Sequence, residues 1–234
     1  MEIKNLYESF TEATLLGKKL LAILIDPDKF DLTNAPSFLR KLPTDASHIF
    51  VGGSTVSEGA TERLVQNIKL YTSRPVLIFP GDFSQVTDAA DGLLFLSLLS
   101  GRNPEYLIGQ QVKAISRLRS SPLEIIATGY ILIDGGRESA VAKVTATVPM
   151  SQKNVQQVVD TAKAGVLMGA KLIYLEAGSG AVIPVSMTII SEVKKEIEVP
   201  LIVGGGIRSE EQKQAAYEAG ADIVVMGTAY EWNH

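Results

Sequence analysis

The chain has no cysteine among its 234 residues, and only two histidines and one tryptophan. The absence of cysteine excludes disulfides and thiolate metal sites, which fits a reducing cytosol. The longest apolar stretch runs from Gly92 to Leu99 and is far shorter than the ~20 residues that a membrane-spanning helix needs. The first residues, MEIKNLYESFTEA, also lack the apolar core of a signal peptide. We therefore expect a soluble, cytoplasmic protein with no transmembrane segment.

An excess of basic charge is absent as well. The 22 lysines and arginines are outnumbered by 26 acidic residues, and the net charge is −4, so electrostatics gives no support to a nucleic-acid partner. The sequence shows no Ser-His-Asp set, zinc-ligand spacing or Walker loop, and GSGAVI, which begins at Gly178, lacks the last glycine of a dinucleotide fingerprint. The chemistry must therefore be sought in another pattern.

Short apolar runs alternate with amphipathic segments along the chain, which is typical of βα units that build a covered parallel sheet. Eight such strands in 234 residues predict one (β/α)8 TIM barrel, which spans residues 1–234 as a single domain. The predicted strands lie near 19–25, 48–52, 75–79, 92–98, 124–131, 172–176, 201–204 and 222–226. The predicted helices lie near 2–16, 35–42, 58–71, 104–119, 152–168, 186–197 and 208–219.

Two connections depart from the regular pattern. Only Pro80 to Asp91 separate the third and fourth strands, and Pro80-Gly81 is a turn signal, so we expect the helix there to be missing or replaced. The connection after the fifth strand, from Asp134 to Met150, is long, and we expect it to cover the C-terminal mouth as a lid.

Glycine-bearing segments accompany the last three strands. A (β/α)8 barrel builds its phosphate site from the loops after its last strands and a helix N-terminus, where successive backbone amides attract an anion. The chain is therefore expected to bind a phosphorylated small molecule, although barrels of many chemistries share such a site. The segments are YLEAGSG (Tyr174 to Gly180), VGGGIR (Val203 to Arg208) and VMGTA (Val225 to Ala229).

Candidate metal ligands follow the first two strands. Asp26, in LIDPDKF, and Ser54, in FVGGSTVSEG, would both lie at the C-terminal mouth. A lone carboxylate there suits Mg2+, which often takes one or two protein oxygens together with substrate phosphates. The alternative is structural: Asp26 and Asp28 cap a turn, and Ser57 is the N-cap of an ordinary helix.

Glu176 is the candidate general base, because it lies within two residues of glycines whose amides could hold a phosphate. It could instead be a structural salt-bridge partner. Tyr174 lies on the same face of the strand as Glu176. Its hydroxyl could bind the phosphate, or its ring could fill the barrel.

The motifs LIDPDK, FVGGS, YLEAGSG, VGGGIR and VMGTA together resemble the geranylgeranylglyceryl phosphate synthase family, which includes the bacterial heptaprenylglyceryl phosphate synthases. The resemblance covers nearly the whole chain, and YLEAGSG is its most specific element. It implies a modified barrel whose third helix is missing or replaced. It also implies that the protein joins sn-glycerol 1-phosphate to a polyprenyl diphosphate, with geranylgeranyl diphosphate as the expected donor, and that it uses Mg2+, forms an ether bond and releases diphosphate.

The same resemblance assigns roles to individual residues. It implies that Asp26 and Ser54 bind Mg2+ and that Glu176 takes the hydroxyl proton. The segment LLFLSLLS, from Leu93 to Ser100, is our candidate wall for a prenyl groove, and the family implies a homo-oligomer. The implied contacts with glycerol phosphate are Tyr174, Leu175, Glu176, Ala177, Gly178, Ser179, Gly180, Gly205, Gly206, Gly227 and Thr228.

Two other functions remain open at the level of the sequence. A barrel isomerase, aldolase or synthase of another phosphorylated molecule would carry the same phosphate loops. A Schiff-base aldolase is disfavoured, because Lys171 precedes its strand and Lys29 lies beyond the turn. A non-catalytic phosphate-binding barrel is the second alternative, and it predicts that the Glu176 carboxylate has no chemical role.

Overall fold

The computed structural model describes residues 5–227, which form a closed barrel of eight parallel strands in the order of the chain. Each strand pairs with the next, and the last pairs with the first. The predicted fold class is thereby confirmed. The strands are β1 (Leu20–Ile25), β2 (Ala46–Val51), β3 (Val76–Ile78), β4 (Gly92–Leu98), β5 (Glu124–Leu132), β6 (Leu172–Glu176), β7 (Leu201–Gly204) and β8 (Ile223–Met226).

Helices surround the barrel or close one of its ends. The predicted helices begin and end close to the predicted positions, except that the one at 104–119 is divided into a π-helical turn, Glu105–Gly109, and a shorter α-helix. A further short helix, Ala140–Thr145, lies in the connection after β5, where no helix was predicted, and residues 2–4 of the first predicted helix lie outside the described residues. The α-helices are α1 (Leu6–Leu15), α2 (Ala35–Lys41), α3 (Ala60–Lys69), α4 (Gln110–Leu118), α5 (Ala140–Thr145), α6 (Val155–Leu167), α7 (Met187–Glu196) and α8 (Glu210–Ala219).

The connection between β3 and β4 is the main departure from a regular barrel. Within the part of the chain that the structure describes, residues 79–91 contain no α-helix and only a single 3-10 turn, Phe83–Gln85. The prediction that this helix is missing or replaced is confirmed. The outer face of β4 is consequently covered by a loop and by α4, and this arrangement leaves room beside the barrel.

Strand periodicity builds two apolar layers. On β6, Leu172 and Tyr174 pack in the barrel interior, whereas Ile173 and Leu175 pack in the layer between strands and helices. Because successive side chains of a strand point to opposite faces, Glu176 follows Tyr174 on the interior face. The sequence thus places a carboxylate inside the barrel, at its C-terminal end.

The N-terminal ends of the strands are closed by α1. Phe10 of α1 is fully buried in the interior cluster. The carboxylate of Glu124, at the start of β5, accepts hydrogen bonds from the backbone N–H groups of Leu6 and Tyr7, 2.8 Å in the case of Tyr7. This carboxylate compensates the unpaired amides and the positive end of the α1 dipole. Within residues 5–227, α1 therefore closes the N-terminal end of the barrel interior.

Candidate active site

A cavity of about 400 Å3 opens at the C-terminal ends of the strands. Its size lies within the ~300–1,000 Å3 that is usual for small-molecule sites. Loops that follow β1, β2, β3, β6, β7 and β8 contribute to its lining, together with β4, α4 and α5. One continuous space thus connects the glycine-rich loops, the acidic β1 loop and the outer face of β4.

The glycine-rich side of the cavity contains six of the predicted substrate-binding residues. They are Glu176, Ser179, Gly180, Gly205, Gly206 and Gly227. Gly205 has a φ of +82°, and a Cβ atom there would lie 2.4 Å from Oε1 of Glu176. Only glycine fits at this position, because both the backbone conformation and the close contact exclude a side chain. Thr228 lies outside the described residues.

The other predicted substrate-binding residues do not line the cavity. Leu175 and Ala177 point into the layer between strands and helices, and Tyr174 lies in the interior below Glu176. The backbone N–H of Ala177 donates to the carbonyl of Gly204 at 3.1 Å. The N–H of Gly178 donates to the carboxylate of Glu176, so both of these amides already form hydrogen bonds within the protein.

Glu176 is 5% exposed, and its Oε1 accepts the Gly178 N–H at 2.7 Å. Burial raises the pKa of Glu176 from 4.5 to about 7, and the nearby Tyr174 hydroxyl and the Gly178 amide oppose this rise. Desolvation is the dominant cause, because it penalises the charged carboxylate. A carboxylate with a pKa near neutrality is suited to accept a proton at physiological pH. No salt bridge to Glu176 is found among the described residues, so the structural salt-bridge alternative is not supported.

Three aromatic rings form the floor below Glu176. Phe79 stacks on Tyr174 at 5.1 Å between ring centroids, and Tyr130 meets Tyr174 edge to face at 5.5 Å. The hydroxyls of Tyr130 and Tyr174 are buried, and neither has the geometry of a hydrogen bond with any described residue, although the Tyr174 hydroxyl is near enough to Glu176 to stabilise its carboxylate. Phe79 and Tyr130 line the cavity, and our sequence analysis missed both. Interior periodicity along β5 could have identified Tyr130, which pairs in register with Tyr174.

The opposite side of the cavity contains Asp26 and Ser54. Oδ2 of Asp26 lies 2.7 Å from Nζ of Lys29, and Oδ1 accepts the Asp28 N–H at 3.1 Å. A Cβ atom on Gly53 would lie 3.0 Å from Oδ1 of Asp26, so this carboxylate lies against the β2 loop that carries Ser54. Asp26 therefore caps its own turn and also faces the cavity.

The alternative assignment of Ser57 as a helix N-cap is wrong. The helix α3 begins at Ala60 after Gly59, and no side chain caps it. Ser57 instead donates its backbone N–H to the carboxylate of Asp28, at 3.0 and 3.1 Å to the two oxygens. Asp28 thus connects the β1 and β2 loops and holds Asp26 and Ser54 on neighbouring segments.

The side-chain oxygens of these two loops suit Mg2+ only if substrate and water complete its coordination. Residues 5–227 contain no group of three acidic or histidine ligands that could enclose a metal ion. A site with one carboxylate and one hydroxyl, completed by substrate phosphate oxygens and water, remains compatible with the preferences of Mg2+. Asp26 and Ser54 would supply these two oxygens.

An apolar arm of the cavity extends to the outer face of β4, where the missing helix would lie. Its lining includes Phe83, Val86, Leu93, Phe95 and Ala114. The segment from Leu93 to Ser100 was our candidate wall for a prenyl groove, and residues of β4 do line this arm. The absence of one helix therefore creates an apolar space adjacent to the polar mouth.

The long connection after β5 forms a roof over the mouth. It contains α5, and Ala140, Val141, Val144 and Thr145 line the cavity. Ser139 caps α5 by accepting the Ala142 N–H at 3.1 Å. The segment therefore lies at the mouth, as expected, and its role as a lid stays a prediction.

Arg208 is a cationic residue of the cavity that our sequence analysis did not select. Its guanidinium donates to the carbonyl of Ala181 at 2.6 Å. Its position just after the glycines of VGGGIR could have identified it as a candidate site residue. Arg208 adds positive charge to the side of the cavity where the glycine-rich loops lie.

Comparison with known proteins identifies the family. Residues 14–234 match the model of the PcrB family. The chain belongs to the PcrB family. It is 54% identical over 227 residues, 97% of each chain, to the geranylgeranylglyceryl phosphate synthase of Zunongwangia profunda. It is 41% identical over 228 residues to the synthase of the same name from Pyrococcus furiosus, covering 96% of this chain and 89% of the relative.

A solved structure supports the same relationship. The (S)-3-O-geranylgeranylglyceryl phosphate synthase of Thermoplasma acidophilum, in complex with its substrate sn-glycerol-1-phosphate, aligns with a TM-score of 0.90 and 32% identity. The alignment covers 99% of this chain and 93% of that structure. The resemblance inferred from the motifs is therefore confirmed. No helix in the described part of the PcrB chain is long and apolar enough to cross a membrane.

Proposed function

We propose that this PcrB protein transfers a polyprenyl group, with geranylgeranyl diphosphate as the expected donor, to a hydroxyl of sn-glycerol 1-phosphate. The products are an ether-linked prenylglyceryl phosphate and diphosphate. The observation that carries the proposal is a single cavity with three chemically different walls: glycine-rich loops beside Glu176, the Asp26–Ser54 loops, and the apolar arm. The names of the curated relatives support the same reaction.

The two substrates meet where these walls join. Glycerol phosphate would lie on the loops after β6, β7 and β8, where Ser179, Gly180 and Gly206 line the cavity. The prenyl tail would occupy the apolar arm, so that its reactive carbon faces Glu176. Holding both reactants in this orientation accounts for much of the expected rate enhancement.

Bond formation and bond cleavage then follow from this placement. The glycerol oxygen bonds to the allylic carbon, the bond between this carbon and the diphosphate oxygen breaks, and the hydroxyl proton moves to the Glu176 carboxylate. The raised pKa of Glu176, about 7, makes the carboxylate a stronger base than an exposed glutamate. The aromatic floor and α5 would shield the allylic carbon from water that could otherwise compete with the glycerol hydroxyl.

Asp26 and Ser54 are the residues that we propose to hold Mg2+ together with the diphosphate. Bound there, the ion would neutralise negative charge on the leaving diphosphate. Asp26→Ala should weaken the binding of diphosphate measured calorimetrically with Mg2+ present, while the affinity for sn-glycerol 1-phosphate stays near that of the wild type. Comparable loss of both ligands in a folded variant would contradict this division of the cavity.

The direct test is a transfer assay. Purified protein, Mg2+ and radiolabelled sn-glycerol 1-phosphate are mixed with geranylgeranyl diphosphate, and in parallel with shorter and longer prenyl diphosphates. Label in an organic-extractable product supports the proposal, and the series gives the preferred tail. Tight binding of glycerol phosphate without transfer to any tail would instead favour a different phosphate chemistry or a non-catalytic barrel.

We also propose, from the family resemblance, that the protein forms a homo-oligomer. Sedimentation velocity tests this proposal.

A further inference from the structure

The 3-10 turn between β3 and β4 is hydrogen-bonded to the loop after β2 through one buried side chain. Nε2 of Gln85 donates to the carbonyl oxygen of Gly53 at 2.8 Å, and Oε1 of Gln85 accepts the Gly53 N–H at 3.4 Å. Gln85 is only 2% exposed and does not line the cavity. The amide of Gln85 therefore holds the turn on the side away from the cavity, whereas Ser54 of the same turn lines the cavity.

Two glycines bring the same backbone segments into direct contact. A Cβ atom on Gly52 would lie 1.7 Å from the carbonyl oxygen of Phe79. A Cβ atom on Gly81 would lie 2.3 Å from the carbonyl oxygen of Gly53 and 2.7 Å from that of Ser54. Such distances leave no space for any side chain, so the two backbone segments lie in direct contact and the Gly53–Ser54 turn cannot move towards the β3–β4 segment.

The β3–β4 segment also forms part of the apolar arm. Phe83 and Val86, on either side of Gln85 along the chain, line the cavity. On the far side this segment is fixed to α4, because Oε1 of Gln110 accepts the Phe83 N–H at 2.9 Å. The β3–β4 segment thus lines the apolar arm and, through Gln85, also contacts the Gly53–Ser54 turn that lies against Asp26.

We propose that Gln85 is a positioning residue that holds the Gly53–Ser54 turn at the geometry required by the diphosphate end of the substrate. This inference rests on the proposed function, because that function places the diphosphate beside Ser54. Gln85 touches neither the cavity nor the glycine-rich loops that would bind glycerol phosphate. Its effect should therefore fall on one of the two substrates only.

The test replaces Gln85 by methionine, which has similar length but forms neither hydrogen bond. Calorimetric titration with inorganic diphosphate and Mg2+ should show an affinity about tenfold lower, the effect of losing one to two hydrogen bonds. Titration with sn-glycerol 1-phosphate should give the wild-type affinity. In the transfer assay KM for the prenyl diphosphate should rise more than kcat falls. Gln214→Met is the matched control, since Gln214 is an exposed glutamine of α8 whose amide contacts Glu218.

A merely structural role would lower the affinity for both ligands alike, and that result in a folded Gln85→Met variant would overturn the proposal. Unchanged binding of diphosphate would overturn it as well. If Gln85→Met does not fold, Gly81→Ala decides, because its methyl group would displace the Gly53 and Ser54 carbonyls beside the Gln85 amide and should cause the same selective loss. Absence of transfer by the wild type would count against the proposed function, whereas selective loss of diphosphate binding would still support the role of Gln85.

Discussion

Glu176 is the residue on which the proposed proton transfer depends. Glu176→Gln should lower kcat about 10²–10⁴-fold, the usual contribution of a general base. The glutamine retains a carbonyl oxygen that can accept the Gly178 N–H, so the β6 loop should keep its shape. The affinity for sn-glycerol 1-phosphate, measured by calorimetry, should therefore change little.

Glu192→Gln provides the control for this substitution. Glu192 lies on α7 with its side chain 45% exposed, and its carboxylate pairs with Lys195 at 2.6 Å. Exposed pairs of this kind contribute at most about 1 kcal/mol, so activity and fold should both persist. Full activity of Glu176→Gln would remove the general-base role of this residue.

The environment of Glu176 also predicts the pH dependence of the reaction. Its pKa of about 7 requires that kcat/KM rise with pH through this value, since the base must be deprotonated. The Tyr174 hydroxyl lowers the pKa of Glu176, so Tyr174→Phe should move this rise to higher pH. Tyr71→Phe, at an exposed tyrosine, should leave the profile unchanged. A shift to lower pH in Tyr174→Phe would show that the hydroxyl does not stabilise the carboxylate.

At the scale of single elements, the packing of α5 against the β6 loop depends on one glycine. Gly178 has a φ of +98°, and a Cβ atom there would lie 2.6 Å from Cβ of Ser139, the N-cap of α5. Gly178→Ala should therefore push the roof away from the catalytic loop and lower both activity and stability. Urea unfolding and the transfer assay measure the two effects.

Gly169→Ala is a closely matched control for Gly178→Ala. Gly169 has nearly the same φ, +101°, but no atom lies within 4 Å of its added Cβ. Both variants carry the backbone strain of a left-handed residue, about 1–2 kcal/mol. Only Gly178→Ala adds a steric clash, which typically costs about 1–3 kcal/mol more. Equal destabilisation and equal activity of the two variants would show that the contact with α5 is unimportant.

The elements of the barrel were predictable because each depends on a local pattern. Apolar runs identified all eight strands, and the short interval from Pro80 to Asp91 could not hold a helix and two loops. What the sequence could not reveal are contacts between distant loops, such as Gln85 with Gly53. The raised pKa of Glu176 belongs to the same class, because it depends on burial by several strands rather than on neighbours in the chain.

At the scale of the whole molecule, two buried titratable groups at opposite ends of the barrel change the pH dependence of stability in opposite directions. His48, 4.9 Å from the Phe10 ring at the end closed by α1, has its pKa lowered from 6.5 to about 4 by burial and by Lys18. Between these values the unfolded chain binds the extra proton, so His48 causes stability to fall as the pH falls. Glu176 acts in the opposite sense, because between pH 4.5 and about 7 the folded protein binds the extra proton and stability falls as the pH rises.

Single variants should separate these two contributions. Each corresponds to about 3 kcal/mol over its full range, at 1.36 kcal/mol for each pKa unit. Relative to the wild type, the free energy of unfolding of Glu176→Gln should increase from pH 4.5 to pH 7, since the variant no longer carries a buried carboxylate that must ionise. His48→Gln should show a relative decrease between pH 4 and pH 6.5. Urea denaturation across this range measures both differences, and because the wild type is the common reference, the titration of all other groups cancels. Two difference curves of the same sign would mean that one of these groups is not buried in the protonation state inferred from its surroundings.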